Sequence, residues 1–220
     1  MPTPSTALDL ATWPRRSAFD LFRPFDKPWF SVCVRVDVTA LKPALAQLGG
    51  GRFSLACHHA VLREAHRVRA FRLRFDGPGV QVLDSVRGST TVARPDGSFG
   101  FATLPYDADF SRFAKQGAAA MQAASAGAAP LLMEAEEHSF IHFTTLPWLH
   151  FTSFTHAREQ AHADIPKVAF GQVREEGGRQ WMPLALEVHH ALIDGADVGD
   201  LINGFEALMR DPLPWLSGRS

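Results

Sequence analysis

Apolar and polar positions alternate over residues 29–38, WFSVCVRVDV, where Phe30, Val32, Val34 and Val36 fall on one side. That period of two predicts a strand with one buried face. Thr39 follows as a candidate N-cap for a helix over 40–48, which Gly49, Gly50 and Gly51 stop. From 53 to 68 the spacing turns helical, with Phe53, Ala56, Ala60, Val61, Ala65 and Val68 marking a mostly buried helix. Phe71, Leu73 and Phe75 alternate with Arg72 and Arg74. The turn Asp76-Gly77-Pro78-Gly79 and the stretch Val80-Gln81-Val82-Leu83 complete a hairpin. Short strands are expected near 90–92 and 98–103. Asp109 then opens a helix to about 126, and the Ala-rich stretch 117–129 reads as a helix end running into a loop at Pro130. The last third is strand-rich, with strands predicted at 140–145, 151–156, 167–173 and 181–190. A closing helix at 196–210 gathers Val198, Leu201, Ile202, Phe205, Leu208 and Met209 on one face. Strands and helices interspersed without strict alternation predict an α+β two-layer sandwich, a large mixed β-sheet covered by helices.

Length and composition narrow the class. A chain of 220 residues with 46% hydrophobic and 20% charged residues can build one sizeable core. A single domain over 1–220 is expected, with residues 1–10 at most a flexible lead-in. Twenty-two basic against 23 acidic residues, with no basic run, argue against a nucleic-acid platform or electrostatic membrane docking. No apolar stretch approaches the roughly 18 residues of a membrane span. The N-terminus lacks the basic and apolar regions of a secretory signal. Two cysteines, Cys33 and Cys57, each inside an apolar segment, suit a reducing cytoplasm better than a disulfide framework.

The stretch most telling of chemistry is His189-His190-Ala191-Leu192-Ile193-Asp194-Gly195. It ends an alternating strand and opens a helix, a corner that can present a side chain to a cleft. A histidine held there can act as a general base near neutral pH. Adjacent residues on a strand point to opposite faces and no Cys cluster accompanies the pair, so a metal site is not expected. His58-His59, inside the predicted buried helix, reads as packing or capping.

The His-His-x-x-x-Asp-Gly pattern resembles the signature of coenzyme-A-dependent acyltransferases. From about Trp13 to Leu208 the chain resembles the chloramphenicol acetyltransferase family. The matching blocks are Trp13-Pro14-Arg15-Arg16 with Phe19, Phe30-Ser31, Val36-Asp37-Val38-Thr39, Phe71-Arg72, Leu83-Asp84-Ser85-Val86, Thr144-Thr145-Leu146-Pro147-Trp148, Phe151-Thr152-Ser153-Phe154 and Met182-Pro183-Leu184. The resemblance implies that family's fold and a cytoplasmic homotrimer with active sites between subunits. It also implies acetyl-CoA as co-substrate and a small-molecule hydroxyl acceptor, chloramphenicol first, with no metal, nucleic acid or membrane partner. His190 would be the base. Asp194 would pair with Arg15, or with Arg16 if the register slips by one. Thr144 would take the place of the family's oxyanion-binding serine, and Trp148 would border the pantetheine channel. An enzyme of this fold with a different, more polar acceptor and a non-catalytic trimeric binding protein are the alternatives.

Departures from the family concern the ligands. Its second threonine near the oxyanion falls on Ala169. A lysine and a tyrosine beside the CoA nucleotide fall on Gln172 and Val173, and Arg52 alone keeps a charge there. In the acceptor pocket a tyrosine becomes Phe22, whereas Phe30 matches a phenylalanine and Leu146 adds apolar surface. An Asn-rich segment becomes Thr155-His156-Ala157-Arg158-Glu159-Gln160-Ala161-His162. Turned inward, these charges would be poor company for an apolar aryl acceptor. Long charged side chains usually stay in water, which favours an outward orientation.

Overall fold

The alternating run at 29–38 forms an edge of the main sheet. The computed structural model describes residues 3–127, 137–158 and 163–218. In chain order its elements are β1 (Ser5–Ala7), α1 (Arg16–Phe22), β2 (Trp29–Asp37), α2 (Leu41–Gln47), α3 (Phe53–Arg67), β3 (Leu73–Asp76), β4 (Gly79–Leu83), β5 (Arg87–Ala93), β6 (Phe99–Leu104), α4 (Phe110–Ala126), β7 (Phe140–Thr145), β8 (Lys167–Phe170), β9 (Arg174–Glu176), β10 (Arg179–His189), α5 (Gly195–Arg210) and α6 (Leu213–Leu216). A seven-stranded sheet runs β2-β10-β8-β7-β5-β6, with β9 beside β10; a small sheet runs β1-β4-β3. The pairs β5–β7 and β7–β8 are parallel and the remaining pairs antiparallel, so the sheet is mixed.

One face of this sheet makes the core. Leu184, Leu186 and Val188 of β10 alternate inward beside Val168 and Phe170 of β8 and Phe143 of β7, all buried. Helices α3 and α5 cover them: His58 meets Phe143 edge-on at 4.7 Å and Phe205 stacks on Phe170 at 6.4 Å. Burying each large apolar side chain contributes about 1.5–3 kcal/mol, so this layer holds the sheet flat against its helices.

The opposite face carries two transverse rows that position the site. Cys33, Ala185, Ala169 and Thr144 are register partners across β2, β10, β8 and β7. The neighbouring same-face row is Ser31, Glu187, Lys167, His142 and Ser89.

Several expectations need correction. Residues 151–156 form no strand; they run as irregular backbone. The strand from 167 ends at Phe170, where Gly171 turns away. Thr39 does not cap α2; its hydroxyl donates to Asp37 Oδ1 at 2.5 Å and accepts from the Gln180 backbone N–H at 2.8 Å. The helix does stop at the glycines, since Gly49 and Gly50 have φ of +87° and +94°, conformations that other residues avoid. Within residues 1–10, Ser5–Ala7 pair with β4 instead of remaining loose. Arg74, on the expected polar side of its strand, is fully buried and donates to the carbonyls of Phe71, Leu73, His138 and Phe140. Backbone acceptors at the entry to β7 replace water there. Helix α4 ends at Ala126, and the expected loop at Pro130 lies outside the described residues, as do Glu159, Gln160, Ala161 and His162.

Candidate active site

Strand β10 ends at His189, and six residues later, at Gly195, α5 begins. The corner between them is braced from three sides. The His189 carbonyl accepts from the backbone N–H groups of Leu192 and Ile193, each at 3.0 Å, and His190 N–H donates to Pro28 at 2.7 Å. Asp194 caps α5: its Oδ1 accepts from Ala196 and Asp197 N–H at 2.9 and 3.2 Å, and Asp197 Oδ2 accepts from Asp194 N–H at 3.0 Å. This reciprocal capping box satisfies the orphan donors of the first turn.

Arg15, just before α1, clamps the same corner. Its Nε lies 3.0 Å from Asp194 Oδ2, Nη1 donates to the Leu192 carbonyl, and Nη2 donates to the His190 carbonyl at 3.2 Å. Burial works against ionisation of Asp194, but the Asp197 N–H and the Arg15 guanidinium outweigh it and hold the carboxyl below its ordinary range. Arg16 points elsewhere, to Asp20 at 2.6 Å, so the register is that of Arg15.

The two histidines part company at this corner. His189 is buried, edge-on to Trp29 and Phe75, and its Nδ1 accepts from Ala191 N–H at 3.2 Å. Burial pushes its pKa down to about 4, so it stays neutral and structural. His190 stacks on Phe22 at 3.9 Å and meets Phe30 at 4.8 Å. Its Nδ1 is enclosed without a hydrogen-bond partner, which leaves Nε2 to meet a substrate. The chemistry available here is proton abstraction by a positioned imidazole.

The remaining candidates lie elsewhere in the chain. Thr144, Leu146, Trp148 and Gln172 gather at the C-terminal ends of β7 and β8, where Gln172 N–H donates to Leu149 at 2.7 Å and Leu146 N–H to Phe170 at 2.8 Å. Trp148 is 63% exposed, so it packs against no core within this chain. Arg52 sits at the start of α3, exposed, without a capping bond. From Thr144 the path to His190 crosses two strands and then runs five residues along β10, roughly 19 Å at ordinary strand spacing.

Of the charged segment, the described His156 and Arg158 turn towards the sheet, against expectation. Arg158 forks onto Glu187 through Nε and Nη2, each 2.8 Å from a carboxylate oxygen, and lies over the Trp29 ring. Glu187 is buried and also accepts from the Ser31 hydroxyl at 3.1 Å. Burial opposes its ionisation; Arg158 and Ser31 prevail and hold it below the usual carboxylate range. A partner of opposite sign on the sheet outweighs the general preference of arginine for water. His156 lies in the same place. Glu187 is the functional candidate that sequence reasoning missed; its only signal was an acid within an otherwise apolar strand, on the face opposite Leu184, Leu186 and Val188.

Among the described residues no group of three or more His, Cys, Asp or Glu side chains is placed to hold a metal ion. No described helix is long and apolar enough to cross a membrane.

Solved structures place this architecture among acyltransferases. Dihydrolipoamide acetyltransferase of Azotobacter vinelandii superposes with a TM-score of 0.66 at 16% identity, covering 91% of this chain and 88% of that one, a likeness of fold alone. A chloramphenicol acetyltransferase superposes with a TM-score of 0.82 at 25% identity, covering 94% and 100%. The family model described as chloramphenicol acetyltransferase matches residues 4–206. A chloramphenicol acetyltransferase of Streptomyces acrimycini is 31% identical over 98% of both chains, and chloramphenicol acetyltransferase 3 of Escherichia coli is 24% identical over 94% of this chain and 98% of its own. The class is thus that of coenzyme-A-dependent acyltransferases. Within it, the chain belongs to the chloramphenicol acetyltransferase family.

Proposed function

We propose that the protein transfers the acetyl group of acetyl-CoA to a hydroxyl of a small molecule, with His190 as general base. The observation that carries this reading is the braced corner: Arg15 and Asp194 fix the backbone of His190 while Phe22 and Phe30 fix its ring. Nε2 takes the proton of the acceptor hydroxyl as its oxygen attacks the thioester carbonyl. The tetrahedral oxyanion accepts a hydrogen bond from the Thr144 hydroxyl. Collapse expels the CoA thiolate, which recovers the proton from the imidazolium. The Phe22 ring face favours that transient cation. No acyl-enzyme forms.

A separation of roughly 19 Å between Thr144 and His190 at ordinary strand spacing argues against their acting together within one chain. The reading therefore places the site between copies, His190 from one and Thr144 from its neighbour, in the homotrimer that the family resemblance implies. Trp148, Gln172, Leu146 and, more distantly, Arg52 would then take the CoA side, and Phe22 and Phe30 the acceptor side.

Chloramphenicol, named for the relatives, is the first acceptor to test. A more polar acceptor is the second reading, favoured by the inward Arg158–Glu187 pair. Thiol release from acetyl-CoA with chloramphenicol and a set of small alcohols tests both. Release should fall by about 10²–10⁴ in His190→Ala. Release no faster than the acceptor-free blank across the set would overturn the reading and favour a catalytically silent binding protein.

A further inference from the structure

Residues 151–158 lie over the sheet face that carries Thr144. At the start, a Cβ on Gly171 would come 3.0 Å from the Phe151 ring and 2.8 Å from the Leu149 carbonyl, so only glycine lets this segment approach. Phe154 follows, 5.5 Å from Phe151 and 4.7 Å from the His156 ring. Ala157 accepts from Lys167 at 2.5 Å, and Arg158 closes on Glu187. His156 is thereby held over the row Ser31, Glu187, Lys167, His142, adjacent to the row of Thr144.

Both ring nitrogens of His156 are enclosed, and neither has a hydrogen-bond partner. Buried polar atoms are almost always satisfied, and each one left unpaired destabilises the fold. On His156 both the donor and the acceptor of one ring are left unused within the described chain. Burial pushes its pKa down to about 4, against the pull of Glu187, so the imidazole is neutral and offers one N–H donor and one lone-pair acceptor. The neighbouring charges do not satisfy it, since Glu187 is engaged with Arg158 and Ser31. Lys167 is the register partner of His142, which precedes Thr144 by two residues. His156 therefore overlies the row next to that of Thr144, on the same face of the sheet.

We propose that His156 recognises the acceptor, binding a group that both donates and accepts hydrogen bonds, such as a hydroxyl, at the end remote from the hydroxyl that is acetylated. This rests on the acetyl-transfer reading above and names the substrate class: a small molecule with a second, polar end. Chloramphenicol carries a nitro group at its far end, which accepts but does not donate, and so meets only half of this requirement.

The test uses chloramphenicol and two analogues whose para-nitro group is replaced by hydroxyl or by hydrogen. kcat/KM is measured at saturating acetyl-CoA for the parent, His156→Leu and His156→Asn. The parent should prefer the hydroxyl analogue over the hydrogen analogue by about tenfold, the effect of one good hydrogen bond. The preference should vanish in His156→Leu, with the hydrogen analogue gaining, and survive in part in His156→Asn. His156→Leu should also melt no lower than the parent, because it removes two unpaired polar atoms. An equal preference in parent and His156→Leu, or a clear fall in melting temperature in His156→Leu, overturns the proposal while acetyl transfer stands. Transfer to none of the three by the parent overturns this inference, whereas the acetyl-transfer reading falls only if the wider set of small alcohols also fails.

Discussion

The imidazole of His190 lies flat on the ring of Phe22, centroids 3.9 Å apart and planes 10° from parallel. Phe22 ends the same short helix, α1, that Arg15 precedes. About two turns of helix therefore fix both the backbone of His190, through Arg15, and its ring, through Phe22. The stack sets the direction of Nε2 without a hydrogen bond to the ring.

Phe22→Ala should free that ring. A displacement of about 1 Å in a catalytic group can cost about 10²-fold in rate, so kcat should fall by about one to two orders of magnitude. Phe22→Tyr should be nearly silent, since the family carries tyrosine there and the stack is kept. Steady-state kinetics on the two variants decide it: an unchanged kcat in Phe22→Ala would show that Phe30 and the corner alone orient the base.

The Arg15–Asp194 pair is less buried than a core ion pair, with side-chain exposures of 18% and 36%. Its contribution to stability comes largely from the cap. Asp194→Ala removes both cap and pair and should cost about 1–2 kcal/mol. Asp194→Asn keeps a good capping oxygen, so it should hold most of the stability and lose activity through the weakened clamp. Urea denaturation beside kinetics separates these effects. Equal denaturation midpoints for Asp194→Ala and the parent would show that the cap adds nothing.

How much of this was legible in the sequence depends on what each residue answers to. The corner was legible because strand alternation through Leu184, Leu186 and Val188 breaks at His189-His190, and the core obeys that periodicity. Arg15 came only from the family resemblance, because nothing local in the chain says that a residue before α1 returns to the end of β10. The strand expected at 151–156 fails because those residues find no sheet partner; they lie on the face, not in the ladder. Arg74 and Arg158 defeated the reading for a shared reason. Periodicity assigns a charged residue to water unless a buried acceptor awaits it, and the decisive acceptors, the carbonyls of His138 and Phe140 for Arg74 and Glu187 for Arg158, come from distant segments.

A site shared between copies, as proposed, would reveal itself in trans. His190→Ala should lose about 10²–10⁴ in turnover and Thr144→Val about 10²–10³, each tested alone. Subunits of the two variants, mixed equally, unfolded and reassembled, would pair an intact His190 with an intact Thr144 at about one quarter of interfaces in a cyclic assembly. Activity should recover to about that fraction of the parent's. Activity that stays at the level of the single variants would mean that base and oxyanion donor are not shared between copies. Thr144→Ser should match the parent, because the family places a serine there.

The last prediction concerns acid stability. His58, His59, His156 and His189 are each pushed down from 6.5 to about 4, in every case chiefly by burial. In the unfolded chain they return to about 6.5. Between those values the unfolded state binds protons that the folded state does not, so stability rises with pH through the window. It is complete above about pH 7 and is lost as pH falls from 6.5 towards 4, by up to about 1.4 kcal/mol per pH unit for each histidine. The lowered carboxyls of Asp37, Glu187 and Asp194 extend the loss in the same direction at lower pH, and the raised carboxyl of Asp197 opposes it slightly. Urea midpoints at pH 7.5, 6 and 5 should fall in that order, with protons taken up on unfolding. His189→Asn keeps an acceptor for the Ala191 N–H, removes one titrating ring, and should make the dependence shallower. A midpoint that holds constant from pH 7.5 to 5 would show that these rings are protonated alike in the folded and unfolded chain.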